Sequence, residues 1–173
     1  MDKHRLMLMR HAKSDRSDAT QQDFDRPLNA RGRKTAPRMG KWLKKSGFAP
    51  EALISSPARR ARETAQLVAG KLRFPEERII WDDRIYNASL ETLLAVIESH
   101  RDALSAALLI GHNPGLDELL AYLCAGPLPL DEEGRLLTTG AVAVVALDAD
   151  RLLTRGGAEL ERLVRPADLE GVD

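Results

Sequence analysis

The feature that most narrows the fold is a set of short apolar runs without polar alternation, each followed by a stretch bearing the marks of a helix. Leu6-Met7-Leu8-Met9, Ala52-Leu53-Ile54-Ser55 and residues 106–110 are of this kind. A strand apolar at nearly every position is buried on both faces, which belongs to a parallel sheet covered by helices. Arg78-Ile79-Ile80-Trp81 and residues 140–147 are further candidate strands. Residues 157–164 alternate as an edge strand does, with a polar tail after Pro166. Asn29 predicts the cap of a helix reaching about Lys45, with Gly47 as its stop and Pro37 forcing a kink or a restart near Ala36. Ser56-Pro57 and Asn113-Pro114 each read as an N-cap followed by proline at the first helical position. They open helices from Ala58 to about Leu72 and through Leu123. Ser89 predicts a further helix through Ser99, with Leu90, Leu93, Leu94 and Ile97 as its apolar face. Residues 13–28, polar and irregular, read as a long functional loop. The alternation of strands and helices predicts a single α/β domain over residues 1–173, a mostly parallel central sheet with helices on both faces.

At 173 residues the chain suffices for one such domain and falls short of two. Basic and acidic residues balance at 26 each, so no bulk field favours nucleic acid or an anionic membrane as partner. Residues 10–62 are nevertheless rich in Arg and Lys, a local field suited to a small anion. The single cysteine, Cys124, lies in an apolar run and reads as a buried structural thiol. No stretch reaches the roughly 18–20 apolar residues of a membrane span. The apolar run after Met1-Asp2-Lys3-His4-Arg5 is too short for a signal-peptide core, and Asn87-Ala88-Ser89 is a sequon without an export signal. Cytoplasm is the expected compartment. Asp131-Glu132-Glu133, within the loop 126–137, reads as solvated surface, and His4 and His100 as surface residues.

In open α/β sheets ligands sit at the carboxyl ends of the strands. Three predicted strands end in cationic or imidazole side chains: Arg10-His11, then Ser56-Pro57 with Arg59, Arg60 and Arg62 close behind, and Gly111-His112-Asn113-Pro114. If these strands are parallel neighbours, two histidines and at least two arginines surround one anion. Guanidinium forks match the oxygens of a phosphoryl group, and a neutral imidazole can attack phosphorus. Metal-ligand spacings, the nucleophile elbow, the dinucleotide fingerprint and the P-loop are all missing, so neither a metal nor a cofactor is expected.

These segments resemble the motifs of the histidine phosphatase superfamily, which has the phosphoglycerate-mutase-like fold. Leu8-Met9-Arg10-His11-Ala12-Lys13-Ser14 resembles its Arg-His-Gly signature, with Ala12 in place of Gly. Residues 24–32, with Pro27, Leu28 and Gly32, resemble its Pro-Leu segment, residues 55–65 its second-Arg motif, and Ile110-Gly111-His112-Asn113-Pro114-Gly115 its second-His motif. Chain length and the terminal Arg165-Pro166-Ala167-Asp168-Leu169 look like the SixA-type phosphohistidine phosphatase branch. The resemblance implies His11 as nucleophile, Arg10 and Arg60 as phosphate clamp, and His112 as second imidazole, with Ser17 and Asn113 as further phosphate contacts. Larger members place an acid shortly after the third strand to protonate a leaving alkoxide. Here that stretch is Asp83-Arg84-Ile85-Tyr86-Asn87, with no carboxylate at the aligned position, although Asp83 or Glu91 could reach the site. An imidazole leaving group needs less help. The implied substrate is thus phosphohistidine in a signalling phosphotransfer protein. A broad-specificity phosphomonoesterase acting on small metabolites and a non-catalytic phosphate-binding module are the alternatives.

Overall fold

The computed structural model describes residues 4–171, so Met1-Asp2-Lys3, at the head of the segment read as too short for a leader, lie outside the described residues. Six strands form one sheet: β1 (His4–Arg10), β2 (Ala52–Ser55), β3 (Ile80–Trp81), β4 (Ala106–Gly111), β5 (Val142–Leu147) and β6 (Ala158–Val164), in the order β3-β2-β4-β1-β5-β6. The β3-β2-β4-β1 half is parallel throughout, and β5 runs antiparallel to both β1 and β6. Four helices cover it: α1 (Ala30–Lys45), α2 (Arg59–Leu72), α3 (Leu90–Ser99) and α4 (Gly115–Leu123). Alternate residues of β1 serve the two faces. Met7 and Met9 meet Ala36, Met39 and Leu43 of α1 and Ala61, Ala65 and Val68 of α2. Leu6 and Leu8 meet Leu93, Val96 and Ile97 of α3 and Leu116, Leu119 and Leu120 of α4. Among the described residues no helix is long and apolar enough to cross a membrane.

Several local expectations hold to the residue. Asn29 accepts a hydrogen bond from the Gly32 amide at 2.8 Å, and Ser89 accepts one from Thr92 at 3.2 Å. Gly47 adopts φ +78°, and the Phe48 and Gly47 amides close back on Leu43 and Lys44, the bonding pattern that terminates a helix at glycine. Cys124 is buried, and burial pushes its thiol up to about 11.

Others need correction. Helix α1 neither breaks nor restarts near Ala36 but runs from Ala30 to Lys45 with Pro37 inside it. An interior proline costs about 3 kcal/mol. Met39 and Leu43, fully buried against α2 and the sheet, together return at least that much at roughly 1.5–3 kcal/mol each. The proline caps are displaced as well. Helix α2 begins at Arg59 after Ala58, because the Ser56 hydroxyl is drawn into the site and turns the chain through the Ala58 amide. Helix α4 begins at Gly115 with Pro114 itself at the cap, and Asn113 Oδ1 accepts from the Asp117 amide one turn on. The third strand is only Ile80–Trp81, since residues 76–78 close into a 3-10 turn. His4 is half-buried in β1, and His100 holds Asp82 at 3.1 Å, so neither is a free surface histidine.

Gly32 locks the start of α1 to the end of the nucleophile segment. A Cβ there would collide with the Lys13 carbonyl, which also accepts from the Asn29 amide. Gly32→Ala should therefore lose about 1–3 kcal/mol of stability. Gly70→Ala, in open space near the end of α2, should gain up to about 1 kcal/mol. Urea unfolding of both variants checks the contrast, and a neutral Gly32→Ala would refute it.

Candidate active site

The site is assembled by strand register. Arg10 pairs with Gly111 across β1 and β4, and Ser55 with Ile110 across β2 and β4. The chains stay stitched one residue further, through His11 N–H to Gly111 O at 3.1 Å and Ser56 N–H to Ile110 O at 3.0 Å. His11, His112 and Ser56 are thereby neighbours on one sheet edge, and the two imidazole rings lie 5.2 Å apart. Helix α2 supplies the cation. Of its three early arginines only Arg60 turns inward, 4% exposed, while Arg59 pairs with Glu63 on the surface and Arg62 lies over Trp81.

Hydrogen bonding sets both tautomers. His11 Nδ1 is 2.7 Å from the Ala12 carbonyl, so it carries the proton, and its Nε2 lone pair receives Arg60 Nε–H at 3.3 Å. His112 is the mirror case. Its Nδ1 faces Arg60 Nη2 at 3.4 Å, which can only donate, so Nε2–H donates to Ser56 Oγ at 2.8 Å. Both lone pairs therefore point at one arginine. Burial, reinforced by the charges around it, lowers His11 to about 3 despite the Ala12 bond. Burial and then Arg60 lower His112 to about 4, with Asp23 opposing. Both rings are neutral at physiological pH.

The backbone beneath is fixed by Thr64, whose hydroxyl accepts from Ala12 N–H at 3.1 Å and donates to Arg60 O at 2.7 Å. Arg10 anchors through Nη1 on the Leu137 carbonyl at 3.1 Å, and its buried Nε–H has no partner among the described residues. Burial lowers the Arg10 pKa, the signature of a cation kept from water. Arg10 and His11 line a cleft of about 440 Å³ with Lys13, Ser14, Arg16, Ser17, Asn29 and Thr139. Among the described residues no three His, Cys, Asp or Glu side chains gather in a way that could hold a metal ion.

The structure thus brings Arg10, His11, Arg60 and His112 together. Ser17 lies exposed on the rim of the cleft. Asn113 is engaged at both ends of its amide, donating to Leu137 O at 3.0 Å and accepting from Asp117, and so braces the loop rather than facing the cleft. Asp83 and Glu91 are exposed, and neither makes a hydrogen bond into the site. The acidic residues of loop 126–137 lie outward, Asp131 and Glu133 paired to Arg135, yet the end of that loop provides the Leu137 carbonyl to Arg10.

Three participants escaped sequence reasoning. Asp23 sits in a 3-10 turn (Asp23–Asp25) inside the loop 13–28 and bonds Arg60 through Oδ2 at 3.0 Å and its carbonyl at 2.7 Å. Tyr86 donates to Asp23 Oδ2 at 2.7 Å, and its ring meets His112 edge-on at 5.6 Å. Arg26 joins Asp23 to Ser14. Burial alone would push the Asp23 carboxyl up, but bonds from Arg26 and Tyr86 and the Arg60 charge hold it well below the usual carboxylate range. The sequence traces of this set are Arg26, within the Pro-Leu segment of residues 24–32, and Tyr86, in the stretch where larger relatives place a carboxylate; the sequence assigns neither a role.

Residues 6–90 match the model of the Histidine phosphatase superfamily (branch 1). An uncharacterized protein of Mycobacterium tuberculosis is 34% identical over 117 residues, covering 68% of this chain and 70% of that one. The phosphohistidine phosphatase SixA of Escherichia coli is 28% identical over 144 residues, 83% of this chain and 85% of that one. The structure of a protein histidine phosphatase SixA complexed with tungstate superimposes with TM-score 0.79 at 25% identity, over 95% of this chain and 99% of that chain.

The depressed histidines predict acid lability. Unfolded histidine titrates near 6.5, so above that pH neither state holds the proton and nothing is lost. As pH falls from about 6.5 toward about 4 for His112 and about 3 for His11, the unfolded chain binds protons that the folded rings refuse, and stability drops by on the order of several kcal/mol before levelling. Asp23 and Asp82, held below their usual range, extend the loss to lower pH. Urea unfolding at pH 7, 5.5 and 4.5 measures the slope. NMR titration of either ring with a midpoint above about 5.5 would contradict its cause.

Proposed function

The chain belongs to the histidine phosphatase superfamily, and from that premise we propose that it is a phosphatase that passes the phosphoryl group through His11, with phosphohistidine in a signalling phosphotransfer protein as substrate. The observation that supports this best is the His11 Nε2 lone pair, held by the Nδ1–Ala12 bond and aimed at the spot where Arg60 and His112 converge. A phosphoryl group there has a neutral nucleophile on one side. Arg60 and the unpartnered Arg10 Nε–H then donate to its equatorial oxygens as charge redistributes. His11 Nε2 attacks in line, the leaving group departs from the opposite face, and water hydrolyses the phosphohistidine on the enzyme.

His112 changes state on binding. A neutral Nδ1 lone pair would repel phosphate oxygens, but the incoming negative charge favours the imidazolium and raises its pKa from about 4. Protonated at Nδ1, it donates to the phosphoryl oxygen.

The leaving group is inferred from what lines the mouth. Asp23 is ionised, and Tyr86, its pKa raised by burial and by its bond to Asp23, keeps its proton. Neither hands a proton to an alkoxide near pH 7, whereas a phosphohistidine ring that already carries a proton on its other nitrogen leaves as neutral imidazole, a much weaker base. This favours a P–N over a P–O bond. A small phosphomonoester is the competing substrate on the same residues.

Brief mixing with labelled phosphohistidine peptide should trap acid-labile, base-stable label on the protein. His11→Ala should abolish the label and lower kcat at least about 10³-fold. Absence of label in the wild type, or undiminished label in the variant, would sink the mechanism. Faster turnover of p-nitrophenyl phosphate and sugar phosphates than of the peptide would replace the substrate assignment with the phosphomonoesterase reading.

A further inference from the structure

Arg60 presents two hydrogen-bonding edges, and they face different partners. The inner edge, Nε and Nη2, faces His11 Nε2 at 3.3 Å and His112 Nδ1 at 3.4 Å. The outer edge, Nη1 and Nη2, is taken by the Asp23 carbonyl at 2.7 Å and Asp23 Oδ2 at 3.0 Å. A carboxylate on the inner edge would compete with phosphate. On the outer edge it leaves Nε and Nη2 to the two uncharged histidine lone pairs and fixes the rotation of the guanidinium plane.

Asp23 is itself held from several directions. Tyr86 O–H donates to Oδ2 at 2.7 Å, Arg26 Nη2 donates to Oδ1 at 2.9 Å, and Arg26 reaches on to Ser14, three residues beyond the nucleophile. Phe24, next in the turn, packs edge-on against Tyr86 at 5.1 Å. A side chain braced in this way is suited to orienting another.

We propose that Asp23 is the positioning residue of the phosphatase site: it grips the outer edge of Arg60 with carboxylate and backbone carbonyl, and so aims the inner edge at the phosphoryl group. This rests on the phosphatase reading of the same site. Arginine has a long flexible stem, and an unanchored guanidinium spreads over rotamers of which few place the fork at bonding distance. Loss of a partner that orients a ligand-binding side chain commonly costs 10- to 100-fold.

The test is a mutant cycle read by kcat, KM and the calorimetric Kd for inorganic phosphate. Asp23→Ala should raise KM and phosphate Kd about tenfold or more, with a smaller fall in kcat, because Arg60 holds phosphate in ground and transition states alike. Asp23→Asn keeps an acceptor for Nη2 and should fall between wild type and Asp23→Ala. In an Arg60→Ala background, Asp23→Ala should change phosphate Kd less than about twofold, since no fork is left to aim. Equal losses in both backgrounds, or Asn no better than Ala, would mean that Asp23 merely folds the turn. Tighter phosphate binding by Asp23→Ala would make it a competitor for the site, and either result overturns the proposal. Should Asp23→Ala fail to fold, Asp23→Asn and Tyr86→Phe, which frees one side of the carboxylate, support the same cycle. Wild type that binds phosphate without turnover would remove the phosphatase reading, while the phosphate Kd cycle would still decide the role of Asp23.

Discussion

The buried guanidinium of Arg60 is the interaction around which the site is organised. A cation only 4% exposed is costly unless charge and hydrogen bonds compensate it. Its compensation comes from three segments: His11 after β1, His112 after β4, and Asp23 from the long loop, while Thr64, one turn along α2, fixes its backbone. The two imidazoles supply lone pairs and no charge, so among the described residues the only anion in bonding contact is Asp23. That is why an otherwise polar, irregular segment must close over this edge of the sheet. The chain meets the need with a three-residue turn, held by Arg26, Tyr86 and Asp23 in one network.

The sheet makes such convergence possible. Parallel pairing of β1 with β4 and of β4 with β2 sends three strands out at the same end, and fully buried strands fix the register. A slip of one residue would exchange Leu6 and Leu8 with Met7 and Met9 between the two cores. Core packing thus sets the 5.2 Å spacing of the histidine rings as directly as any contact within the site. Gly32 plays a comparable part at the loop, where only the absence of a Cβ lets α1 approach Lys13.

How much of this was legible in the sequence follows from the range of each interaction. Strand β2 and the caps at Asn29 and Ser89 depend on residues within a few positions, and they read correctly. The four central site residues were legible because they stand at strand ends or in the first turn of the helix that follows, where topology brings them together. The restart near Ala36 that Pro37 suggested does not occur, because helix α1 is held by packing on α2, which local propensity cannot register. Ser56 and Pro114 misled because their local cap signals were overridden by bonds to His112 and by the entry into α4. Asp23 was not legible at all. Its partners Arg60 and Tyr86 lie 37 and 63 residues away, and no spacing rule links them.

The same network accounts for a site that is charged and yet free to take up an anion. Asp23 offsets part of the Arg60 desolvation from the outer edge, while on the inner side two neutral imidazoles add no negative charge, so the site keeps net positive character. A dianion entering there meets cations that have already given up most of their water, so little reorganisation is needed to bind it. In the proposed reaction, its binding would favour a proton on His112 and lessen the repulsion among the phosphoryl oxygens; once phosphate left, burial and Arg60 would again disfavour the imidazolium. Neutral histidines beside a buried arginine are therefore a resting state poised by the same forces that the anion reverses.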